Sequence, residues 1–516
     1  MKRIYLWIPA LIFVFGIIAT SCSSSTLDTD DNLVTPPVPT TPLTLQQQLE
    51  AIDGVSDITM RQMQDGKEVY QFFVDQLIDH KTPSMGTFKQ RVTITQKGAE
   101  HVTVLLTQGY AMSDDEETFT RCDLYEQYDA NTIEVEHRYF GKSLPEPIED
   151  VNYTYLSAEQ AAEDLHHVVS LIKNNKIFTG KWIATGTSKS GLNAALYAYY
   201  SEQKGYDDID VYVPFCAPFL LDTQDKRIGT YIITEAGKST GIHDKLNAIP
   251  QKLVQQPMRD ELINLIWEKE SIMIELTKDI VINAILGPDA EIDEADVLPL
   301  LQKWQVATLI HTYYENLLGK LAYIPATILK EFIPDPEKDD LEEIYWFVHA
   351  TSNDIYDMIM EYAQTRAEMT DEDLVDKRKT DPVFPYYIQA FKELGYYDYD
   401  YSAIAGNGYI TEEDIRKTYS KTSYNVSLAR YAKHYSNSMI KDFLDNFLPK
   451  SKKKMVFVYC ENDPWTGGAI PDSNNPNVVK IVSPGGCHSD DILNENYFPK
   501  EWRDKIIDQI NAFLGI

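Results

Sequence analysis

Ser188 stands in the run Lys181-Trp-Ile-Ala-Thr-Gly-Thr-Ser-Lys-Ser-Gly191. A β-prone segment ends at Gly186, and helix-compatible residues follow from Asn193 to Ala198. Strand, tight turn with a central serine, then helix is the pattern that lifts a nucleophilic hydroxyl clear of the backbone. The same turn aims backbone N–H groups at one spot, half of an oxyanion hole. Strand and helix nearly touch there, so the neighbours must be small. Gly186 and Gly191 are small, and Ser190 stands where the commonest form of the turn has glycine. A glycine- and serine-rich turn without chemistry has the same composition, so the serine has to be weighed with its partners.

A nucleophilic serine needs a base, and the base needs a carboxylate to orient it. In the strand–turn–helix setting the chain order is serine, acid, histidine. Lys454 to Tyr459 reads as a strand that runs into Cys460-Glu-Asn-Asp463-Pro-Trp-Thr-Gly-Gly468. Val478 to Val482 reads as a second strand, followed by Ser483-Pro-Gly-Gly-Cys-His488. Two successive strands thus each end in a glycine-rich loop, one offering Asp463 and the other His488. Open α/β sheets place functional residues at such strand ends. The expected chemistry is acyl transfer, with Ser188 as nucleophile, His488 as base and Asp463 as orienting acid. Leu105 to Tyr110 ends a strand at the same edge. A backbone N–H of Gly109 or Tyr110 is the expected second oxyanion donor, the Lys189 N–H being the first. Glu136 and Arg138 end another strand. Two readings stand for them: a carboxylate that holds a substrate ammonium group, or structural hydrogen bonding.

Glu136-His-Arg-Tyr-Phe-Gly-Lys-Ser143-Leu-Pro145 resembles the signature of the secreted prolyl-type serine exopeptidases. That group includes Pro-X carboxypeptidase, dipeptidyl peptidase II and the bacterial tripeptidyl aminopeptidases. Phe72 to His80 with Thr87 to Val92 resembles their N-terminal strand pair, and Tyr155 to Asp164 the helix before their nucleophile. Gly-x-Ser-Lys, Glu-Asn-Asp-Pro-Trp and Gly-Gly-x-His are most similar to the tripeptidyl aminopeptidase branch. The resemblance runs from about residue 68 onward. It implies an α/β-hydrolase fold and maps the triad onto Ser188, Asp463 and His488. It also implies a substrate-binding set in which Trp465 stands beside the acid, while Gln389 or Glu393 of the Pro385–Tyr397 segment meets the peptide N-terminus. Ser190 in place of glycine and Cys487 in place of a polar residue are departures, and neither removes a reacting group.

The elements that position these residues follow from periodicity. Residues 69–79, 101–107, 130–136, 181–186 and 208–214 read as strands, with helices over 155–174 and 189–202. Strands alternating with helices predict a mostly parallel sheet. Residues 216–450 change character: apolar residues recur at three- and four-residue spacing, as in Met258 to Trp267 and Leu341 to Val348. The expected organisation is an α/β-hydrolase core over 44–215 and 451–516, with a helical cap inserted over 216–450.

The N-terminus reads as a targeting segment. Lys2-Arg3 precedes a mostly apolar stretch, Ile4 to Ala19, and small residues lead to Cys22. That is a bacterial signal peptide over 1–21 with lipid attachment at Cys22. Residues 22–43, rich in Ser, Thr, Asp and Pro, read as a tether. The expected location is extracytoplasmic, at the outer membrane or cell surface. A net charge of −32 over 516 residues argues against nucleic acid and against anionic lipid bound through basic patches. The five cysteines form no CxxC pair and no metal-like cluster, so zinc is not expected, and the acyl-transfer reading calls for no cofactor. Cys460 and Cys487 lie on the acid and base loops, as a disulfide or as buried thiols. Three function classes remain: a serine exopeptidase releasing di- or tripeptides from an N-terminus, a secreted carboxylesterase or lipase of the same fold, and a noncatalytic surface lipoprotein.

Overall fold

The computed structural model describes residues 43–63, 66–113, 123–287, 291–337, 341–348, 368–404, 408–418, 427–489 and 491–516. The signal segment, Cys22, the tether up to residue 42 and Cys122 lie outside the described residues. Thr44–Ile516 forms one compact unit.

Among the described residues nine strands form one sheet: β1 Val55–Gln62, β2 Glu68–Leu77, β3 Thr87–Thr95, β4 Thr103–Thr107, β5 Asn131–Val135, β6 Trp182–Thr187, β7 Val211–Phe215, β8 Met455–Cys460 and β9 Val478–Ser483. Their order is β1-β2-β3-β5-β4-β6-β7-β8-β9. β5, β4, β6, β7, β8 and β9 run parallel, and β1, β2 and β3 join through antiparallel pairings. Parallel strands put all their C-terminal ends on one edge, where the loops that follow β6, β8 and β9 meet.

The parallel strands β4 to β8 are buried on both faces, and their side chains alternate between two cores. Leu105, Ile133, Ala184, Tyr212 and Phe457 face one side, with α1 (Ala158–Asn174) and α2 (Lys189–Lys204) packed on them. Val104, Ile183, Val211, Val213, Val456 and Val458 face the other. Helices cover both faces because a sheet of β-branched and aliphatic residues exposed on neither side must bury both. This is the α/β-hydrolase architecture. β1 was not legible in the sequence. Its residues are mostly exposed or half-buried, so it lacks the alternation that marks a strand.

Between β7 and β8 the described chain is largely helical, from Arg227 to Phe447. Its longest helices are α3 (Met258–Leu286) and α4 (Glu294–Tyr323). They share a core of their own through Leu262, Ile266, Val306, Ile310 and Leu317. A second cluster joins Phe384, Ile388 and Phe391 of this segment to Tyr139 and Tyr153, which follow β5. The helical segment is therefore continuous with the sheet-bearing part rather than a separate body. Among the described residues no helix is long and apolar enough to cross a membrane.

Candidate active site

Ser188 sits between β6 and α2 with φ 61° and ψ −126°, a conformation that a non-glycine residue adopts only when its surroundings enforce it. Two backbone bonds do so. The Ser188 N–H donates to Phe215 O at 2.9 Å, and the Leu192 N–H donates to Ser188 O at 2.9 Å. Gly191 is required by close approach: a Cβ there would stand 2.5 Å from Phe215 O and 2.7 Å from Gly186 O. The Lys189 N–H, first in α2, has no hydrogen-bond partner among the described residues. It lies at the positive end of the helix dipole, where negative charge is favoured.

Asp463 follows β8 and is fully buried. Its Oδ1 accepts the Trp465 N–H at 3.0 Å and its Oδ2 meets His488 Nδ1 at 2.8 Å. One carboxylate oxygen caps a helical turn while the other orients the imidazole. Burial alone would lower the His488 pKa. The charge and hydrogen bond of Asp463 outweigh it and raise the imidazole well above the usual histidine range. An imidazole oriented by a buried carboxylate in this way is arranged to exchange a proton with a neighbouring hydroxyl. The Ser188 hydroxyl has no hydrogen bond among the described residues, so the structure joins acid to base directly and leaves the nucleophile unengaged. Nucleophile–base bonds of free enzymes commonly tighten only around substrate.

Several neighbours of the pair were not among the expected site residues. Asn462 ties the acid loop to the base loop: its N–H donates to Gly486 O at 3.0 Å and its Nδ2 to Gly485 O at 3.3 Å. Cys216, at the end of β7, lies between the nucleophile and acid strands. Its Sγ, an Asp463 carboxylate oxygen and a His488 ring nitrogen fall within 4.8 Å of one another. Strand order could have found it, since β7 lies between β6 and β8. Burial raises the Cys216 thiol well above its ordinary value, so it stays protonated. Cys216, Cys460 and Cys487 are all free and buried, which decides for thiols over a Cys460–Cys487 disulfide. From the helical segment, Ala322 O at the end of α4 accepts the His488 N–H at 2.6 Å, and the Tyr323 ring stands 6.1 Å from the imidazole.

Four of the expected roles, those of Glu136, Arg138, Gly109 and Gln389, are corrected. Glu136 is fully buried and paired with Arg91, and it accepts from Met112 N (2.9 Å), Lys142 N (2.9 Å) and Ser143 Oγ (2.8 Å). Its oxygens are saturated, so it latches a loop and holds no substrate. Arg138 is equally buried. Its Nε and Nη2 grip Asp164 at 2.7 and 2.6 Å, and its remaining protons go to the carbonyls of Leu77, Ile78 and Tyr155. Gly109 cannot lend its N–H to an oxyanion, because that N–H donates to Ser190 Oγ at 2.9 Å. Tyr110 N–H, by contrast, has no hydrogen-bond partner among the described residues, and in this it matches the Lys189 N–H.

The Lys189 side chain is buried with its ammonium on Gly109 O, 5.3 Å from the Tyr110 ring centre and 4.8 Å from that of Phe140. Burial pulls its pKa down to about 7, against the opposing pull of Glu393. Gln389 is fully buried and donates to Glu393 Oε1 at 2.9 Å, so it positions that carboxylate rather than reaching substrate. Glu393 Oε1 also accepts the Ala158 N–H at 2.8 Å, while its Oε2 has no hydrogen bond among the described residues. Burial raises the Glu393 pKa. Trp465 stands 5.7 Å from His488 and 5.2 Å from Tyr397. From there the rings continue through Tyr396 (4.7 Å) and Tyr386 (6.2 Å) to Tyr110 (5.7 Å). An unbroken run of aromatic rings therefore links the base to the oxyanion loop.

Residues 40–263 match the family PS-10 peptidase S37, a stretch that includes Ser188 and ends before Asp463 and His488. The prolyl tri/tetrapeptidyl aminopeptidase of Streptomyces mobaraensis is 26% identical over 426 residues, 81% of this chain and 74% of that protein. Among solved structures, a thermophilic esterase from Thermogutta terrifontis aligns over 89% of this chain and 99% of its own, at 11% identity and TM-score 0.30. An α-amino acid ester hydrolase aligns over 40% of this chain at 16% identity and TM-score 0.21, and the aligned part spans 33% of its length. The sequence matches and the buried Asp463–His488 pair beside the Ser188 turn agree: the chain is a serine peptidase of the α/β-hydrolase fold, similar over residues 40–263 to the PS-10 peptidase S37 family.

Proposed function

We propose that this enzyme is an exopeptidase that binds the free N-terminus of an oligopeptide and releases a di- or tripeptide from it. The carrying observation is Glu393. One of its oxygens is held by Ala158 and Gln389, and the other has no hydrogen-bond partner among the described residues, in a half-buried site close enough to Lys189 to influence its titration. A half-buried carboxylate with raised pKa gains its ionised form when an ammonium group arrives, and the charge-assisted bond rewards that arrival.

The helical segment supports the same reading. It reaches the acid–base loops at three places: Ala322 on His488, Tyr231 Oη on Glu461 O at 2.8 Å, and Ser239 N on Glu461 Oε1 at 2.8 Å. Contacts so close to the base leave less room for a chain that continues in both directions, as an endopeptidase substrate must. The aromatic run from Trp465 to Tyr110 suits a compact apolar ring such as that of proline at the residue before the cut. The name of the Streptomyces relative points to the same residue.

A matched pair of peptides, one with a free amino terminus and one N-acetylated, tests the proposal. The free peptide is expected to be cleaved and the acetylated one spared. Glu393→Gln is expected to raise KM for the free peptide about tenfold or more, the worth of one charge-assisted bond. Equal cleavage of both peptides by the wild-type enzyme would sink the aminopeptidase reading, and a strong ester rate without peptide cleavage would select the esterase.

In the same reading, Cys22 is acylated after removal of residues 1–21, and the enzyme works tethered outside the cytoplasm. A palmitate analogue fed to cells is expected to label the wild-type chain and not Cys22→Ala. Wild-type protein recovered soluble with an unmodified Cys22 would contradict the anchor.

A further inference from the structure

We infer that the side chains of the first turn of α2, Lys189 and Ser190 with Asn193, are positioning residues that orient the Tyr110 N–H as the second oxyanion donor. This rests on the acyl-transfer reading of Ser188.

The loop that carries the donor is pinned at successive residues, all to one helix turn. Thr107 Oγ1 donates to Ser190 O at 2.7 Å. The peptide between Gln108 and Gly109 is held on both sides: its carbonyl accepts Asn193 Nδ2 at 2.8 Å, and its N–H donates to Ser190 Oγ at 2.9 Å. The next peptide is held through its carbonyl, because Gly109 O accepts the Lys189 ammonium. In a trans peptide the C=O and the following N–H point in opposite directions. Fixing Gly109 O on Lys189 therefore fixes where the Tyr110 N–H points, and the Tyr110 carbonyl is in turn held by the His137 N–H at 3.3 Å. Contact is close throughout: a Cβ on Gly109 would stand 2.9 Å from Lys189 Cγ and 3.0 Å from Ser190 N.

The helix that supplies one donor through the Lys189 backbone thus sets the other through the Lys189 side chain. The two donors move as one body, and an oxyanion hole works only when its donors are already in place as charge develops. Ser190 has a role here that glycine lacks. Glycine at this position would leave the Gly109 N–H without its acceptor and the loop free to turn.

Ser190→Ala and Lys189→Met each remove one pin and leave the backbone donors in the chain. The readout that needs no knowledge of the peptide substrate is the rate at which a fluorophosphonate labels Ser188. Labelling and kcat are expected to fall about tenfold or more in each folded variant, with KM within about twofold, because the loss is of orientation. A peptide boronate that forms a tetrahedral adduct should lose affinity in step with kcat. The double variant should lose less than the product of the single losses, since both pins serve one loop. Unchanged labelling in folded Ser190→Ala and Lys189→Met would overturn the inference, as would a rise in KM alone. Wild-type enzyme that labels at Ser188 yet cleaves no free-amine peptide would defeat the aminopeptidase proposal and leave these labelling rates as the test of the loop.

Discussion

Ser188→Ala is expected to lower turnover by on the order of 10⁴-fold or more, because triad members act as a unit and losing one forfeits most of what all three supply. Alanine keeps the same backbone and the same bonds to Phe215 and Leu192, so the variant should fold as the wild type does. Asp463→Asn is expected to cost a comparable factor, roughly 10⁴, by a different route. The amide would present the wrong group to His488 Nδ1, and the imidazole would lose the tautomer that accepts a proton from serine. What remains in either variant comes from the donors at Lys189 and Tyr110 and from substrate binding. Steady-state kinetics and fluorophosphonate labelling check both. Retained turnover in Ser188→Ala would remove the serine from the mechanism.

Arg138→Met should act on stability and leave substrate affinity alone. The guanidinium is fully buried and makes five hydrogen bonds, two of them to Asp164. Asp164 is itself buried, with His80 Nε2 at 2.7 Å and Gln90 Nε2 at 3.3 Å as its other partners. Removing the arginine strands that carboxylate and three carbonyls away from water. Breaking a buried pair from one side costs about 3–5 kcal/mol, a large part of the stability of an ordinary domain. Urea denaturation should show a lowered midpoint, while KM of the protein still folded stays near the wild-type value. A raised KM with unchanged stability would return Arg138 to the substrate site.

Glu136 and Arg138 show why part of this site could not be read from the chain. A charged residue at the end of a strand has the same appearance whether it meets substrate or a buried partner. The partner of Glu136 is Arg91, a strand away, and that of Arg138 is Asp164 on α1. Nothing local in the sequence marks either pairing. Gly109 is a similar case. Its loop packs on the helix that follows the serine, and which N–H is free depends on Ser190 Oγ, a contact that exists only once β4 and α2 lie side by side.

The sequence by itself determined what depends on local chemistry. The strand–turn–helix around Ser188 is written in small residues that the turn requires. The loops offering Asp463 and His488 follow short apolar runs of strand character. The parallel sheet follows from strands alternating with helices, and the helical insertion from its change of period. The tertiary structure alone decided which polar groups are already satisfied. It spent Glu136, Arg138, the Gln389 amide N–H and the Gly109 N–H on internal bonds, and it left Gln389 Oε1, Glu393 Oε2 and the Lys189 and Tyr110 N–H groups unpartnered among the described residues. The physical reason is that a buried polar group must be paired, and in these cases the partner comes from a separate element of the fold.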